Sequence, residues 1–183
     1  MASVLVPLAQ GCEELEAVTV IDLLRRAGID VVTAGLDTQP VRASRGVTLL
    51  PDMSLDAALQ QEFDMIILPG GLPGADHLRD DPRVIDLLKK MAAADRFTAA
   101  ICAAPRVLAH AGLLDGKRAT SFPGALDVDT IPGLDYQEAA VVRDGKVITS
   151  RGPGTAMDFA LTLIETLVGR EKRDEVEAGL QRG

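Results

Sequence analysis

One cysteine stands out for its setting. In Ala99-Ala100-Ile101-Cys102-Ala103-Ala104-Pro105 a short apolar run delivers Cys102 to small residues that end in a proline. The order reads as a buried strand running into a helix, with Cys102 at the carboxyl end of the strand, where open α/β sheets bind their ligands. Small neighbours permit a tight elbow of the kind that presents a nucleophile. The partial positive charge of a helix N-terminus would favour thiolate over thiol, so an activated Cys102 is expected. The plainer alternative is a free cysteine acting as a small apolar core residue.

Other groups can serve that thiol. Pro69-Gly70-Gly71 ends a second apolar run. Glycines allow the backbone to turn sharply there, so that the Gly70 and Gly71 amides can face an oxygen that gains charge near Cys102; an ordinary loop pair is the alternative. Glu13, Glu14 and Glu16 open the first helical pattern, where the helix dipole by itself favours carboxylates. Positions 13 and 16 share a face and Glu14 points elsewhere. A carboxyl buried beside a thiol would have a raised pKa and could pass a proton to it, but spacing does not say which glutamate does so.

His110 lies eight residues beyond Cys102, which is ~12 Å along a helix and too far for a base. His77 follows the glycine pair and could approach the site, though a surface position is the plainer reading. Two histidines and two cysteines at unrelated spacings make no zinc site. Gly70-Gly71-Leu72-Pro73-Gly74 matches neither a dinucleotide nor a phosphate-loop fingerprint. No metal and no cofactor are expected.

These residues need a frame. Ser3 to Leu8 reads as a strand, Glu13 to Ala27 as a helix stopped by Gly28, and Asp30 to Ala34 as a second strand, the basic unit of a parallel sheet. Val47 to Leu50 suggests a short strand in a side ribbon, and Ser54 to Leu59 a short helix capped by Ser54. Asp64 to Leu68 is continuously apolar after its first residue, as in a strand covered on both faces. Pro82 to Ala94 reads as an amphipathic helix with its proline in the first turn. Thr98 to Ile101 is a strand that leads through Cys102 into a helix ending near Ala111. Arg118 to Ser121, Ala139 to Val142 and Val147 to Thr149 are further strands, the last two joined by a hairpin at Asp144-Gly145. Gly152-Pro153-Gly154 opens a helix to Leu167, and a charged helix runs from Arg170 to Leu180. Alternating strands and helices over residues 1–183 predict one α/β domain.

Composition narrows the function. With 19 basic and 27 acidic residues the net charge is −8, and no basic stripe marks a nucleic-acid partner. The first residues lack a signal-peptide pattern, and no run approaches the ~20 apolar residues of a membrane span. Two cysteines, Cys12 and Cys102, are too few for a disulfide framework. A reducing cytoplasm with free thiols is expected.

Four segments in order are specific: Gly11-Cys12-Glu13-Glu14-Leu15-Glu16, Leu68-Pro69-Gly70-Gly71, Ala100-Ile101-Cys102-Ala103-Ala104-Pro105 and Ser150-Arg151-Gly152-Pro153-Gly154-Thr155. Together they resemble the ThiJ/PfpI superfamily from Val4 to about Glu171, in its YajL-like branch, close to the human parkinsonism-associated member. The resemblance implies a flavodoxin-like three-layer sandwich with a mostly parallel central sheet, assembled as a homodimer. Cys102 matches the family's reactive, oxidation-sensitive cysteine, and Glu16 the glutamate that hydrogen-bonds it. Gly71 and Ala103 match positions whose amides form an anion or oxyanion pocket. Arg26 and Arg45 match basic positions near the dimer interface and pocket, although Asp22 and Arg26 also stand at the spacing of a surface ion pair.

The family connection implies a glutathione-independent glyoxalase or deglycase acting on methylglyoxal-type α-oxoaldehydes, or on glycated thiols and amines. It also implies the alternative of an oxidative-stress sensor or chaperone that uses Cys102 oxidation. A third reading is a dimeric binding module with a vestigial cysteine. Two departures bear on this. Ala103 stands where the protease-like branch has histidine, which argues against a peptidase. Phe122 stands where other members have a histidine near the pocket, so no Cys-His pair activates the thiol and turnover should be low.

Overall fold

The computed structural model describes all 183 residues. Its first half comprises β1 (Ser3–Leu8), α1 (Glu14–Arg26), β2 (Asp30–Gly35), β3 (Val41–Arg42), β4 (Thr48–Leu49), β5 (Met53–Ser54), α2 (Leu55–Ala58), β6 (Met65–Leu68), α3 (Gly74–Asp80) and α4 (Pro82–Ala93). There follow β7 (Phe97–Ile101), α5 (Pro105–His110), β8 (Arg118–Ala119), β9 (Asp135–Tyr136), β10 (Val141–Asp144), β11 (Val147–Ser150), α6 (Ala156–Val168) and α7 (Arg170–Gly179).

Seven strands form one sheet in the order β10-β11-β7-β6-β1-β2-β5. Every pairing is parallel except the β10–β11 hairpin at the edge. Successive strand side chains point to opposite faces, and the apolar core divides accordingly. Val4, Val6, Met65, Ile67, Ala99 and Ile101 pack under α1, α6 and α7, whereas Leu5, Ile66, Leu68 and Ala100 pack under α2, α3, α4 and α5. Both faces are covered, which is why Met65–Leu68 is apolar at every position. A leucine buried as fully as Leu68 or Leu88 contributes about 1.5–3 kcal/mol through the water it sheds. The result is the α/β/α sandwich anticipated above.

The chain adds β2 and β5 on one side of β1, then crosses to place β6, β7 and β11 on the other. This reversal opens a crevice at the carboxyl ends of β1 and β6, the usual ligand position in such sheets. Helix α4 shows how sequence sets local structure: Asp81 caps it by accepting from the Arg83 amide, Pro82 occupies its first turn, and Val84, Ile85, Leu88 and Met91 form its buried stripe.

Several elements depart from the sequence expectations. Residues 74–80, read as loop, form α3. The strand expected at Arg118 to Ser121 is only two residues long and pairs with β9 outside the main sheet. The 47–50 segment does lie in a side ribbon, paired with β3. No helix is long and apolar enough to cross a membrane.

Candidate active site

Strand β7 ends at Ile101, and Cys102 follows in the left-handed region, with φ of 64°. That conformation costs a side-chain-bearing residue about 1–3 kcal/mol and persists only where the surroundings impose it. Here the Cys102 amide donates to the Ser150 carbonyl at 3.0 Å, and its carbonyl accepts from the Phe122 amide at 2.8 Å. The elbow is thus clamped between β11 and the 121–125 loop.

The sequence reading put Cys102 where a strand runs directly into a helix N-terminus. It lies instead three residues before α5, which begins at Pro105 and is six residues long. The activating influence is local. The amides of Gly71 and Ala103 act on the Cys102 sulfur and pull its pKa down, but burial and the Glu16 charge prevail and push the thiol up to about 12. Burial and the neighbouring carboxyl thus act against the thiolate, and the two amides act for it.

The glycine pair is required by close approach. A Cβ on Gly70 would sit 2.6 Å from the Cys102 Cβ and 2.8 Å from Glu16 Oε1. Gly71, at φ of 87°, would press a Cβ to 2.8 Å from the Gly11 carbonyl oxygen. The two amides divide their roles: Gly71 faces the sulfur, and Gly70 faces Glu16 rather than the pocket for which it was expected.

The three glutamates separate cleanly. Glu14 turns to the β3–β4 ribbon and accepts from the Arg45 amide at 2.9 Å and the Ser44 hydroxyl at 3.2 Å. Burial alone would raise its carboxyl, but these and other amide bonds hold it below the usual range. Glu13 caps α1 by accepting from the Leu15 amide and reaches the cleft rim. Glu16 is 0% exposed and faces Cys102. No protein group makes a hydrogen bond of normal length and angle to either of its oxygens. The Cys102 thiol and Gly70 amide are the donors that act on it, and they do not offset burial and the nearby Glu13 charge, which raise its pKa to about 8. A carboxyl so placed holds its proton near neutrality and can exchange it with a thiol.

Cys102 opens into a cleft of about 450 Å³ lined also by Glu13, Arg45, Gly71, Ala103, Arg106 and Phe122. Arg45 stands on the rim, 3.9 Å from Glu13 Oε2. Arg26 does not reach this cleft; it pairs with Asp22 on the outer face of α1. His77 lies in a separate hollow beside Leu36 and Val41, away from the thiol. Phe122 is 50% exposed. Sequence reasoning missed Arg106, although a cation four residues after the cysteine was a readable signal. No group of three or more His, Cys, Asp or Glu side chains is arranged to hold a metal ion.

With this geometry in place, the comparisons are informative. Residues 2–166 match the DJ-1/PfpI family. The chain is 47% identical to the Parkinson disease protein 7 homolog of Danio rerio, over 96% of this chain and 95% of that one. It is 39% identical to the glutathione-independent glyoxalase DJR-1.2 of Caenorhabditis elegans, over 96% and 92% respectively. The crystal structure of Drosophila melanogaster DJ-1beta superposes with a TM-score of 0.93 at 45% identity, covering 100% of this chain and 98% of that one. On its sequence, its sandwich architecture and these similarities, the chain belongs to the DJ-1/PfpI family.

Proposed function

We propose that this protein is a glutathione-independent, cysteine-dependent glyoxalase or deglycase for methylglyoxal-type α-oxoaldehydes and their early adducts. The observation that carries this reading is a single one: Cys102, on a clamped left-handed elbow, faces the fully buried Glu16 carboxyl and the amides of Gly71 and Ala103. The name of the Caenorhabditis elegans relative supports it.

The resting pair is a thiol beside a carboxyl that loses its proton near 8. In the singly ionised pair Glu16 takes the thiol proton as sulfur attacks the aldehyde carbon. The S–C bond forms, and Glu16 returns that proton to the aldehyde oxygen, giving a hemithioacetal. Glu16, again a carboxylate, removes the proton from the former aldehyde carbon and delivers it to the neighbouring carbonyl carbon, while the hydroxyl proton passes to the neighbouring oxygen, so that the first carbon becomes a thioester carbonyl and the second carries the alcohol. The carbon skeleton keeps its electrons throughout, one carbon being oxidised as the other is reduced. Water then cleaves the resulting thioester, releasing the 2-hydroxy acid and restoring the thiol. Negative charge that appears on oxygen during attack is met by the Gly71 and Ala103 amides. With adducts on thiols or amines, the same attack would precede release of the unmodified group.

The test is lactate formation from methylglyoxal without glutathione in wild type, Cys102→Ser and Glu16→Gln. Activity lost in both variants supports the assignment; activity retained in Glu16→Gln would overturn the proton shuttle. A redox-sensing reading has its own support: Cys102 is partly exposed while Cys12 is 1% exposed. It requires peroxide to oxidise Cys102 first, and equal oxidation of both cysteines on peptide mapping would remove it. In this reading the chain works in the cytoplasm as a homodimer. The exposed Leu15 and Val18 on α1, beside the Asp22–Arg26 pair, supply an apolar face for a second copy.

A further inference from the structure

Arg106 is the one strongly basic side chain of the cleft that neither the capping of α1 nor the thiol–carboxyl pair explains. It follows Cys102 by four residues, on the first turn of α5, and its amide donates to the Ala103 carbonyl. Its side chain is 25% exposed and lines the cleft that contains Cys102. Asp76 on α3 fixes the guanidinium by accepting from Nη1 at 3.0 Å. The rest of the fork is unused: Nη2 donates to no protein group, and Nε is buried from water and has no acceptor. Nη2 is therefore the donor left to meet an anion in the cleft through a charge-assisted hydrogen bond.

We propose that Arg106 makes the Cys102 cleft selective for α-oxoaldehydes that carry a carboxylate on the chain beyond the dicarbonyl. Asp76 positions the guanidinium, its free Nη2 takes the carboxylate, and the aldehyde end is left beside Cys102. Arg45, also on the cleft lining, is 80% exposed, so water screens its charge and it adds a weaker attraction. Arg106 is thus a specificity residue of the proposed glyoxalase site, and the substrate-class statement rests on that reading.

Alkylation tests the anion preference without requiring turnover. Iodoacetate and iodoacetamide are nearly isosteric and differ in charge. The ratio of their rates at Cys102, read by peptide mass spectrometry, should fall about tenfold in Arg106→Met and be partly restored in Arg106→Lys, as expected for loss of a charge-assisted contact. Asp76→Asn keeps the arginine while releasing its anchor and removing a negative charge, so the ratio should hold or rise. An unchanged ratio in folded Arg106→Met, or an equal fall in Asp76→Asn, overturns the proposal. A second arm compares kcat/KM for dioxopentanoate, an α-oxoaldehyde with a terminal carboxylate, against uncharged oxopentanal. The acid should be favoured in wild type, and the preference should collapse in Arg106→Met through KM; equal use of both by wild type refutes the substrate class. If neither is turned over, the glyoxalase reading fails by itself, while the alkylation ratio still decides the role of Arg106.

Discussion

Replacing Glu16 by glutamine should change how stability depends on pH. Glu16 is 0% exposed and its carboxyl is raised from 4.5 to about 8 by burial and the Glu13 charge. Between those values the folded chain holds a proton that the unfolded chain has lost. The stability associated with this group is therefore complete below 4.5 and falls as pH rises, until the folded carboxyl ionises near 8. From 4.5 to pH 7 the gap is about 2.5 pH units, and at about 1.4 kcal/mol each this amounts to roughly 3 kcal/mol. Other shifted groups lie outside this window: Glu14, Asp80 and Asp81 are lowered, and both cysteines are raised toward about 12. Glutamine introduces an amide that also needs partners, but that cost does not vary with pH. Urea unfolding of wild type and Glu16→Gln at pH 5, 6, 7 and 8 isolates the effect. The variant should gain on wild type by about 3 kcal/mol between pH 5 and 8. Parallel stability curves would refute a buried carboxyl with a raised pKa, and with it the proposed proton carrier.

Three other outcomes follow from the same geometry. Alkylation of Cys102 by iodoacetamide should accelerate through about pH 8, where the thiol–carboxyl pair loses its first proton, and this inflection should vanish in Glu16→Gln. Gly70→Ala puts a Cβ 2.6 Å from the Cys102 Cβ; stability should drop by about 1–3 kcal/mol and Cys102 alkylation should slow, as urea unfolding and mass spectrometry will report. Phe122→His places an imidazole on the cleft lining at the position of a half-exposed ring; if the missing Cys-His pair limits turnover, kcat for methylglyoxal should rise by about tenfold or more, and an unchanged kcat would dissociate low turnover from that substitution.

Much of the frame is written in the chain itself. A continuous apolar run such as Met65–Leu68 fits a strand covered on both faces, which is what it forms. Local chemistry announced several ends, including Ser54 capping α2 and the Asp144-Gly145 hairpin. Cys102 and the glycine pair were legible because small residues at the end of a buried strand are conspicuous. The short pieces were not: α3, β3 and β9 owe their form to the packing and pairing of neighbours distant in sequence. The division of labour among Glu13, Glu14 and Glu16 was equally undetermined by spacing, since all three suit a helix start. Packing of α1 against the sheet decides it, turning Glu14 to the ribbon amides and sealing Glu16 beside the thiol. The protonation state of the pair is likewise a tertiary property. Residue types give a thiol and a carboxyl, but only burial, a neighbouring charge and three backbone amides set which of them holds the proton.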